Sequence, residues 1–292
     1  MVNVTKYILG LIVVFGFLGI NSCDVVDGNY EKIVEIDTNT TKERPQNILI
    51  TEYTGHKCGN CPPAAEEGKR LQKLYPKGRV IFMAIHAGSF ATLDATFTND
   101  LRAPEGFSIM NSFGITLQPT GDINRLLNNS GQRSFAYSEW SSIITANIDK
   151  DATNIITFEN AEYITDTRKI NAKLNIEYFE NVTTEDHIAV YIVEDSIVSP
   201  QYDYRLLPPL SSKVDDYVHY GVMRGTMNGA WGDLISVTTP KKGEKFDFNV
   251  SFTIPEKNKH WRPNHLRLIA MVHDNNNTKV ISQVKDTELE IK

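Results

Sequence analysis

A pair of closely spaced cysteines between an apolar strand and a helix is the feature that most constrains the fold of this sequence. Residues 47–53 (NILITEY) are typical of a buried strand, and the run CGNC follows at residues 58–61 after a short loop. Two prolines at residues 62–63 then open a helix, since the first helical turn tolerates proline. Residues 79–86 (RVIFMAIH) form a second apolar strand. This order predicts an α/β unit with both cysteines at the start of its helix.

The cysteine count limits what these thiols can do. The chain has 292 residues and three cysteines, Cys23, Cys58 and Cys61. If Cys23 carries a lipid, Cys58 and Cys61 are left to pair with each other or to bind something together.

The N-terminus has the pattern of a bacterial export signal. A short polar start is followed by the apolar run 7–20, which is shorter than the roughly 20 residues of a spanning helix. The sequence INSC at residues 20–23 resembles a bacterial lipobox. We therefore expect a signal peptide over residues 1–22, lipidation of Cys23, and a polar tether over residues 23–46. An ordinary cleaved signal and a short uncleaved anchor are the alternatives.

Charge and motifs exclude several classes of function. The formal net charge is −6 and no long run of Lys or Arg occurs, which argues against nucleic-acid binding. The sequence shows no Ser-His-Asp, paired-carboxylate or phosphate-loop pattern, and we expect no cofactor and no metal. The expected partners are the membrane, through the lipid anchor, and envelope proteins acting as substrates or as a redox partner.

The second half of the chain has the period-two pattern of β-strands. Apolar residues alternate with polar ones over residues 170–178 and 246–254. This predicts an all-β, sandwich-like domain over residues 151–292. Residues 199–232 interrupt the strands and are rich in aromatic side chains. They are either a binding surface or a loop that packs over the sandwich.

Residues 47–150 resemble a thioredoxin-like domain. The segment FGITLQPT at residues 113–120 resembles the family's segment that ends in a cis-proline, here Pro119, and Glu52 matches its buried acidic residue. Residues 134–148 supply a closing helix. Two features depart from the family: Lys57 replaces the usual tryptophan before the first cysteine, and residues 87–106 form an insertion that is expected to lie over the site.

The resemblance implies a catalytic role for Cys58, Cys61, Glu52 and Pro119. The positive end of a helix lowers the pKa of a thiol, so we expect Cys58 to be more exposed and more acidic than Cys61. His56 and Lys57 would add positive charge. Glu52 would exchange a proton with Cys61, and the backbone before Pro119 would pair with a substrate strand.

Four alternative interpretations stay open for these residues. The two cysteines can form a structural disulfide, or they can bind zinc together with His56 and His86. The carboxylate of Glu52 can be solvated. The peptide bond before Pro119 can be trans.

A narrower resemblance covers nearly the whole chain. The motif GHKCGNCPPAAE at residues 55–66, the lipobox and the β-rich half resemble the Bacteroidetes family of outer-membrane lipoproteins with a thioredoxin-like N-terminal domain. The resemblance implies a lipid-anchored outer-membrane location. Two functions follow: thiol–disulfide exchange at the cell envelope, or non-enzymatic binding of a protein or glycan through the sandwich, with a structural disulfide at residues 58–61.

Replacing Cys23 tests the expected anchor. In a Cys23→Ala variant, cleaved or uncleaved, no diacylglyceryl group can be attached at this position, and a cleaved protein should move from the membrane fraction to the soluble fraction. Fractionation followed by immunoblotting measures the change. A processed Cys23→Ala protein that stays with the membrane contradicts the prediction.

Overall fold

The structure, a computed structural model, describes residues 44–206, 212–276 and 278–292. The predicted signal peptide, Cys23 and nearly all of the predicted tether lie outside these residues. Within the three ranges, no helix has the length and apolar character needed to cross a membrane.

The described residues form three α-helices and a larger set of strands. The helices are α1 (Pro62–Leu74), α2 (Pro104–Ser112) and α3 (Trp140–Asn147). The strands are β1 (Ile48–Thr54), β2 (Val80–His86), β3 (Thr120–Ile123), β4 (Asn154–Ile164), β5 (Lys169–Tyr178), β6 (Asp186–Glu194), β7 (Ile197–Val198), β8 (Gln201–Tyr202), β9 (Lys213–Val214), β10 (Val218–His219), β11 (Val222–Thr226), β12 (Asp233–Leu234), β13 (Lys245–Thr253), β14 (Leu266–Asp274), β15 (Ile281–Glu288) and β16 (Glu290–Ile291). Short 3-10 helices lie at Ser89–Ala91, Tyr137–Glu139, Glu256–Asn258 and Pro263–His265.

One mixed sheet joins the two halves of the chain. Its strand order is β15-β14-β6-β11-β2-β1-β3, and β12 pairs with β6. Strands β1 and β2 are parallel, and β3 runs antiparallel to β1. Strand β11 lies beside β2 through the pair Val222 and Ala84. The predicted boundary at residue 150 falls between α3 and β4, but strands from both sides of it belong to this sheet, and the described residues form one compact unit.

The prediction of a sandwich-like β domain is confirmed. A second sheet of order β13-β5-β4-β16 packs against one face of the mixed sheet. Because successive side chains of a strand point to opposite faces, alternate residues of β5 are buried in this interface. The buried residues on β5 are Ile170, Ala172, Leu174, Ile176 and Tyr178, and they pack with residues of β6 and β14 such as Ile188, Val190, Ile192, Leu268, Ala270 and Val272.

Helices cover the mixed sheet around β1 and β2. Helices α1 and α3 pack on one face, where Leu71 and Trp140 join a core with Ile48, Ile50 and Phe82. Helix α1 lies so close to β2 that a Cβ on Gly68 would be 2.3 Å from the Phe82 ring. Helix α2 packs on the other face in a core that contains Leu49, Ile81, Met83, Tyr191 and Ile269.

The predicted closing helix is shorter than expected. Residues 134–148 form a helix only over Trp140–Asn147, preceded by the 3-10 turn Tyr137–Glu139. Phe135 stays extended because its backbone N–H and C=O pair with Gly121, at 2.8 and 3.1 Å. This pairing extends the sheet at β3 and leaves fewer residues for the helix.

The shared sheet predicts that the first half does not fold alone. A fragment of residues 44–150 would leave the β2 edge unpaired and would expose Leu49, Ile81 and Met83, which pack against Tyr191 and Ile269 in the whole chain. We expect residues 44–292 to unfold in one transition and the fragment to lack a cooperative transition. Thermal unfolding followed by near-UV circular dichroism tests this, and a cooperatively folded fragment would contradict it.

Candidate functional site

Cys58 and Cys61 form a disulfide directly in front of α1. The S–S distance is 2.02 Å, and the backbone N–H of Cys61 donates to the Cys58 carbonyl at 3.1 Å. Cys61 is the N-cap residue and the helix begins at Pro62. The expectation that Cys58 itself lies at the positive end of the helix is therefore wrong. Both prolines occupy the first turn, so the helix starts after the second cysteine.

The expected difference in exposure between the two cysteines is absent in the disulfide form. Cys58 is 3% exposed and Cys61 is 2% exposed. Both sulfurs are covered by neighbouring segments, so a macromolecular thiol cannot reach either one without a local rearrangement.

Neither His56 nor Lys57 adds free positive charge beside the thiols, contrary to expectation. The His56 ring stacks on Phe97 at 4.6 Å, and its Nε2 lies 3.0 Å from the Thr92 carbonyl. Burial lowers the pKa of His56, so the ring is neutral at neutral pH. The ammonium group of Lys57 is paired with the Asp94 carboxylate at 2.7 Å.

Glu52 lies in the sheet beneath the disulfide, as predicted. Its pairing with Ala84 puts it on the face that α1 covers, and it is 0% exposed. Among the described residues, neither carboxyl oxygen has a hydrogen-bond partner of normal geometry. Burial raises the pKa of Glu52 to about 8, and the nearby Thr54 hydroxyl opposes this shift only in part. At neutral pH the carboxyl group is largely protonated.

A cavity of about 210 Å³ connects Glu52 with Cys61. His86 and His219 also border it, and their rings meet edge to face at 5.2 Å. Burial lowers the pKa of His86 well below its usual value, and burial lowers the pKa of His219 to about 4. Both imidazoles are therefore neutral. The cavity is large enough and polar enough for water to reach the buried carboxyl group.

Among the described residues, the histidines and cysteines are not arranged as a metal centre. In the part of the chain that the structure describes, no group of three or more His, Cys, Asp or Glu residues is arranged to hold a metal ion. His86 instead contacts His219, a residue that the sequence analysis did not assign to the site. The position of His219 within the aromatic stretch 199–232 was the one sequence signal for its place in the site.

The peptide bond between Gln118 and Pro119 is cis, as predicted. Strand β3 starts at the next residue, Thr120, which lies opposite Tyr53 near the end of β1. The Gln118 amide donates to the carbonyls of Thr54, at 3.3 Å, and Ala87, at 3.0 Å. Pro119 therefore lies at the same end of the sheet as the loop that carries Cys58.

Residues 201–205, the covering segment, lie on the cysteine loop. The Gln201 amide donates to the Cys58 carbonyl at 2.9 Å, and the Tyr204 backbone N–H donates to the Gly59 carbonyl at 2.8 Å. Residues 199–232 were expected to be a binding surface or a loop that packs over the sandwich. This part of the range instead packs on the cysteine loop, because β10 and β11 follow it and are held beside β2 in space.

The predicted insertion also packs on the cysteine loop. The backbone N–H of Lys57 donates to the Phe90 carbonyl at 2.9 Å, and a Cβ on Gly55 would be 2.4 Å from the Phe90 backbone. The insertion also borders a second cavity of about 930 Å³, together with Arg224 and Trp261. There the buried Arg224 guanidinium is paired with Glu194 and lies over the Trp261 ring.

Comparison with known proteins gives a family and a related fold. The sequence model of the family "Outer membrane protein Omp28" matches residues 108–291. The match begins within α2 and therefore lies after the cysteine loop. A search of curated proteins finds no match.

Among solved structures, HBP35 of Porphyromonas gingivalis is similar in fold. It is 14% identical, with a TM-score of 0.64, and the alignment covers 84% of this chain and 76% of that one. A β-glucosidase from Listeria innocua is 10% identical over 49% of this chain and 16% of its own, with a TM-score of 0.23. A cohesin module from a Clostridium perfringens family 33 glycoside hydrolase is 18% identical, with a TM-score of 0.20. The alignment covers 48% of this chain and 98% of the module.

The HBP35 likeness extends over most of both chains, and at this identity it concerns the fold alone. The family match extends over more than half of the chain and includes every strand from β3 to β16. The chain belongs to the Omp28 family of outer membrane proteins.

Proposed function

We propose that this protein carries out thiol–disulfide exchange at the outer membrane through Cys58 and Cys61. The observation that carries the proposal is the buried carboxyl group of Glu52, which borders the same cavity as Cys61 and has a pKa of about 8. Burying a carboxyl group without partners costs stability, so its position beside a thiol pair favours a chemical role.

The proposal includes a thioredoxin-like unit in the first half of the chain. Three observations support it: the parallel pair β1 and β2 with α1 between them, the antiparallel β3 next to β1, and the cis-proline at the start of β3. Cys58 and Cys61 lie between β1 and α1, at the end of the sheet where Pro119 also lies.

In the reduced protein, the thiolate of Cys58 attacks a substrate disulfide and releases one substrate sulfur as a thiolate. This forms a mixed disulfide with Cys58. Cys61 then loses its proton to the carboxylate form of Glu52, and its thiolate attacks the Cys58 sulfur. The second substrate sulfur leaves, and the disulfide between Cys58 and Cys61 re-forms. A carboxyl group that titrates near neutral pH suits both directions of this proton transfer.

We also propose that the protein is anchored by a lipid on Cys23. The lipobox-like sequence and the apolar run before it support this anchor, and several acyl chains on one residue would hold a protein stably at a bilayer. The substrates or redox partners would then be proteins of the cell envelope.

The alternative function is non-enzymatic binding of a protein or glycan, with a structural disulfide. The burial of both sulfurs beneath the covering segment and the insertion favours it. The two functions differ in what Glu52 does: in the alternative, its proton transfer has no role.

Replacing Glu52 with glutamine tests the proposed exchange. Glutamine keeps the size of the side chain but cannot accept the Cys61 proton, so resolution of the mixed disulfide should slow at least tenfold near neutral pH. Stopped-flow measurement with a chromogenic disulfide follows both steps. The matched control is Asp186→Asn, since burial also raises the pKa of Asp186, to about 6, in contact with Tyr178 in the sandwich. Equal rates for Glu52→Gln and the wild type contradict the mechanism.

The same variant has a readout that is independent of exchange. The folded protein keeps the Glu52 proton up to about pH 8, whereas the unfolded chain loses it near pH 4.5. The folded state therefore binds more protons between these values, and the wild-type free energy of unfolding should fall as pH rises from about 4.5 to about 8. Urea unfolding of Glu52→Gln should show a smaller fall. An equal fall in both proteins would mean that Glu52 is not buried in its neutral form.

A further inference from the structure

The covering segment binds the cysteine loop through the short strand β8 (Gln201–Tyr202) and the turn that follows it at residues 203–206. The backbone N–H groups of Tyr202 and Tyr204 donate to the carbonyls of His56 and Gly59, at 2.9 and 2.8 Å. Between them, the N–H of Asp203 points the other way and donates to the Ser212 carbonyl at 2.6 Å. The loop contributes only carbonyl groups to these bonds, so a polypeptide of another sequence can make them.

Gly59 allows an aromatic ring to lie directly against the backbone of the cysteine loop. A Cβ on Gly59 would lie 2.4 Å from two atoms of the Tyr204 ring, so only glycine admits the ring at this distance. The backbone of Gly59 does not adopt a positive φ, and the loop conformation therefore does not itself require glycine. The contact with the ring is what requires glycine here. Tyr204 is nevertheless 56% exposed, because the opposite side of its ring faces solvent.

Glu66 on α1 recognises a cation next to the ring. The Arg205 guanidinium makes two parallel hydrogen bonds to the Glu66 carboxylate, each 2.7 Å long. Both side chains are about half exposed, and the guanidinium also pairs with the Asp203 carboxylate at 2.6 Å, so the Glu66 pair adds little affinity. Its two-point geometry selects an arginine at this position more than it adds affinity.

The position of the segment conflicts with access to the disulfide. Gln201 bonds to the Cys58 carbonyl and Tyr204 lies on Gly59, so a protein disulfide cannot approach Cys58 while the segment is in place. Gln201 and Asp203 are buried, and the Tyr202 ring meets Phe97 edge to face at 5.0 Å, so this part of the segment is firmly held. The Tyr204 ring and the Arg205 guanidinium are about half exposed, and these are the contacts that another polypeptide of similar sequence can replace.

We propose that the His56 carbonyl, Gly59 and Glu66 form a docking surface for a polypeptide segment with an aromatic residue followed by a basic one. Residues 201–205 occupy this surface within the chain until such a polypeptide displaces them. The identification of that polypeptide as the substrate rests on the proposed exchange function, whereas the docking itself does not.

The experiment uses residues 44–292 in the disulfide form and a labelled peptide with the sequence of residues 199–206 (SPQYDYRL). In the double variant Tyr204→Ala/Arg205→Ala, the internal segment loses its ring and its cation, so the face of Gly59 and the Glu66 carboxylate become available. Fluorescence anisotropy should show at least tenfold tighter peptide binding to this variant than to the wild type. Adding Gly59→Ala, whose methyl group occupies the position of the ring, should abolish the gain.

A charge reversal tests the Glu66 contact. In the double-variant background, Glu66→Arg should weaken binding of the arginine peptide about fivefold, in line with an exposed ion pair. A peptide with glutamate at the arginine position should recover that loss. The proposal is overturned if the peptide binds the double variant no better than the wild type, or if Gly59→Ala and Glu66→Arg both leave binding unchanged. If the double variant does not fold, the single variant Tyr204→Ser takes its place.

No free thiol is present in this assay, so it detects no exchange. A protein that binds the peptide but fails the Glu52→Gln test keeps the docking surface and loses the exchange function. A protein that passes the Glu52→Gln test but does not bind the peptide keeps the exchange function and loses the docking surface.

Discussion

The pairing of β2 with β1 on one side and with β11 on the other is the constraint on which the rest of the structure depends. The Ala84 N–H donates to the Gly221 carbonyl at 2.7 Å, and the Arg267 guanidinium donates to the Phe82 carbonyl at 2.6 Å. These bonds fix β11 and β14 of the second half against a strand of the first. Because β10 directly precedes β11, His219 is brought beside His86, and the covering segment is brought onto the cysteine loop. The candidate site is therefore built from both halves of the chain.

This arrangement gives the buried carboxyl group its properties. Glu52 lies under α1, and the second half closes the cavity through Gln201, Tyr217 and His219. Excluding solvent raises the pKa of Glu52 to about 8. A full shift of this kind costs several kcal/mol of stability at alkaline pH, since each pKa unit corresponds to about 1.4 kcal/mol. The large core on both faces of the mixed sheet offsets that cost.

The sequence predicted the parts of the site and the insertion that packs on it, but not the second cover from residues 201–205. The residue pattern predicted the strand before the cysteines and the helix that the two prolines open. The resemblance to a thioredoxin-like domain implied the buried position of Glu52 and the cis bond at Pro119. The period-two pattern of β5 and β13 predicted the sandwich. The contacts of Tyr202 and Tyr204 with the cysteine loop depend on the pairing of β2 and β11. A pairing between residues so far apart leaves no local pattern, because any buried strand of similar composition fits beside β2. The neutral state of His56 was missed for a related reason, because the residues that bury its ring, Phe97 and Thr92, belong to the insertion.

The reduction potential of the Cys58–Cys61 disulfide tests the central claim most directly. The exchange function requires that the pair be reduced and reoxidised by envelope thiols. Catalysts of exchange have potentials between about −270 and −120 mV, whereas structural disulfides generally lie below about −300 mV. Equilibration of residues 44–292 with defined thiol–disulfide buffers, followed by alkylation and mass spectrometry, gives the value. We predict a potential within the range of the exchange catalysts. A potential below about −300 mV would contradict the account and would identify the disulfide as a structural element of a binding protein.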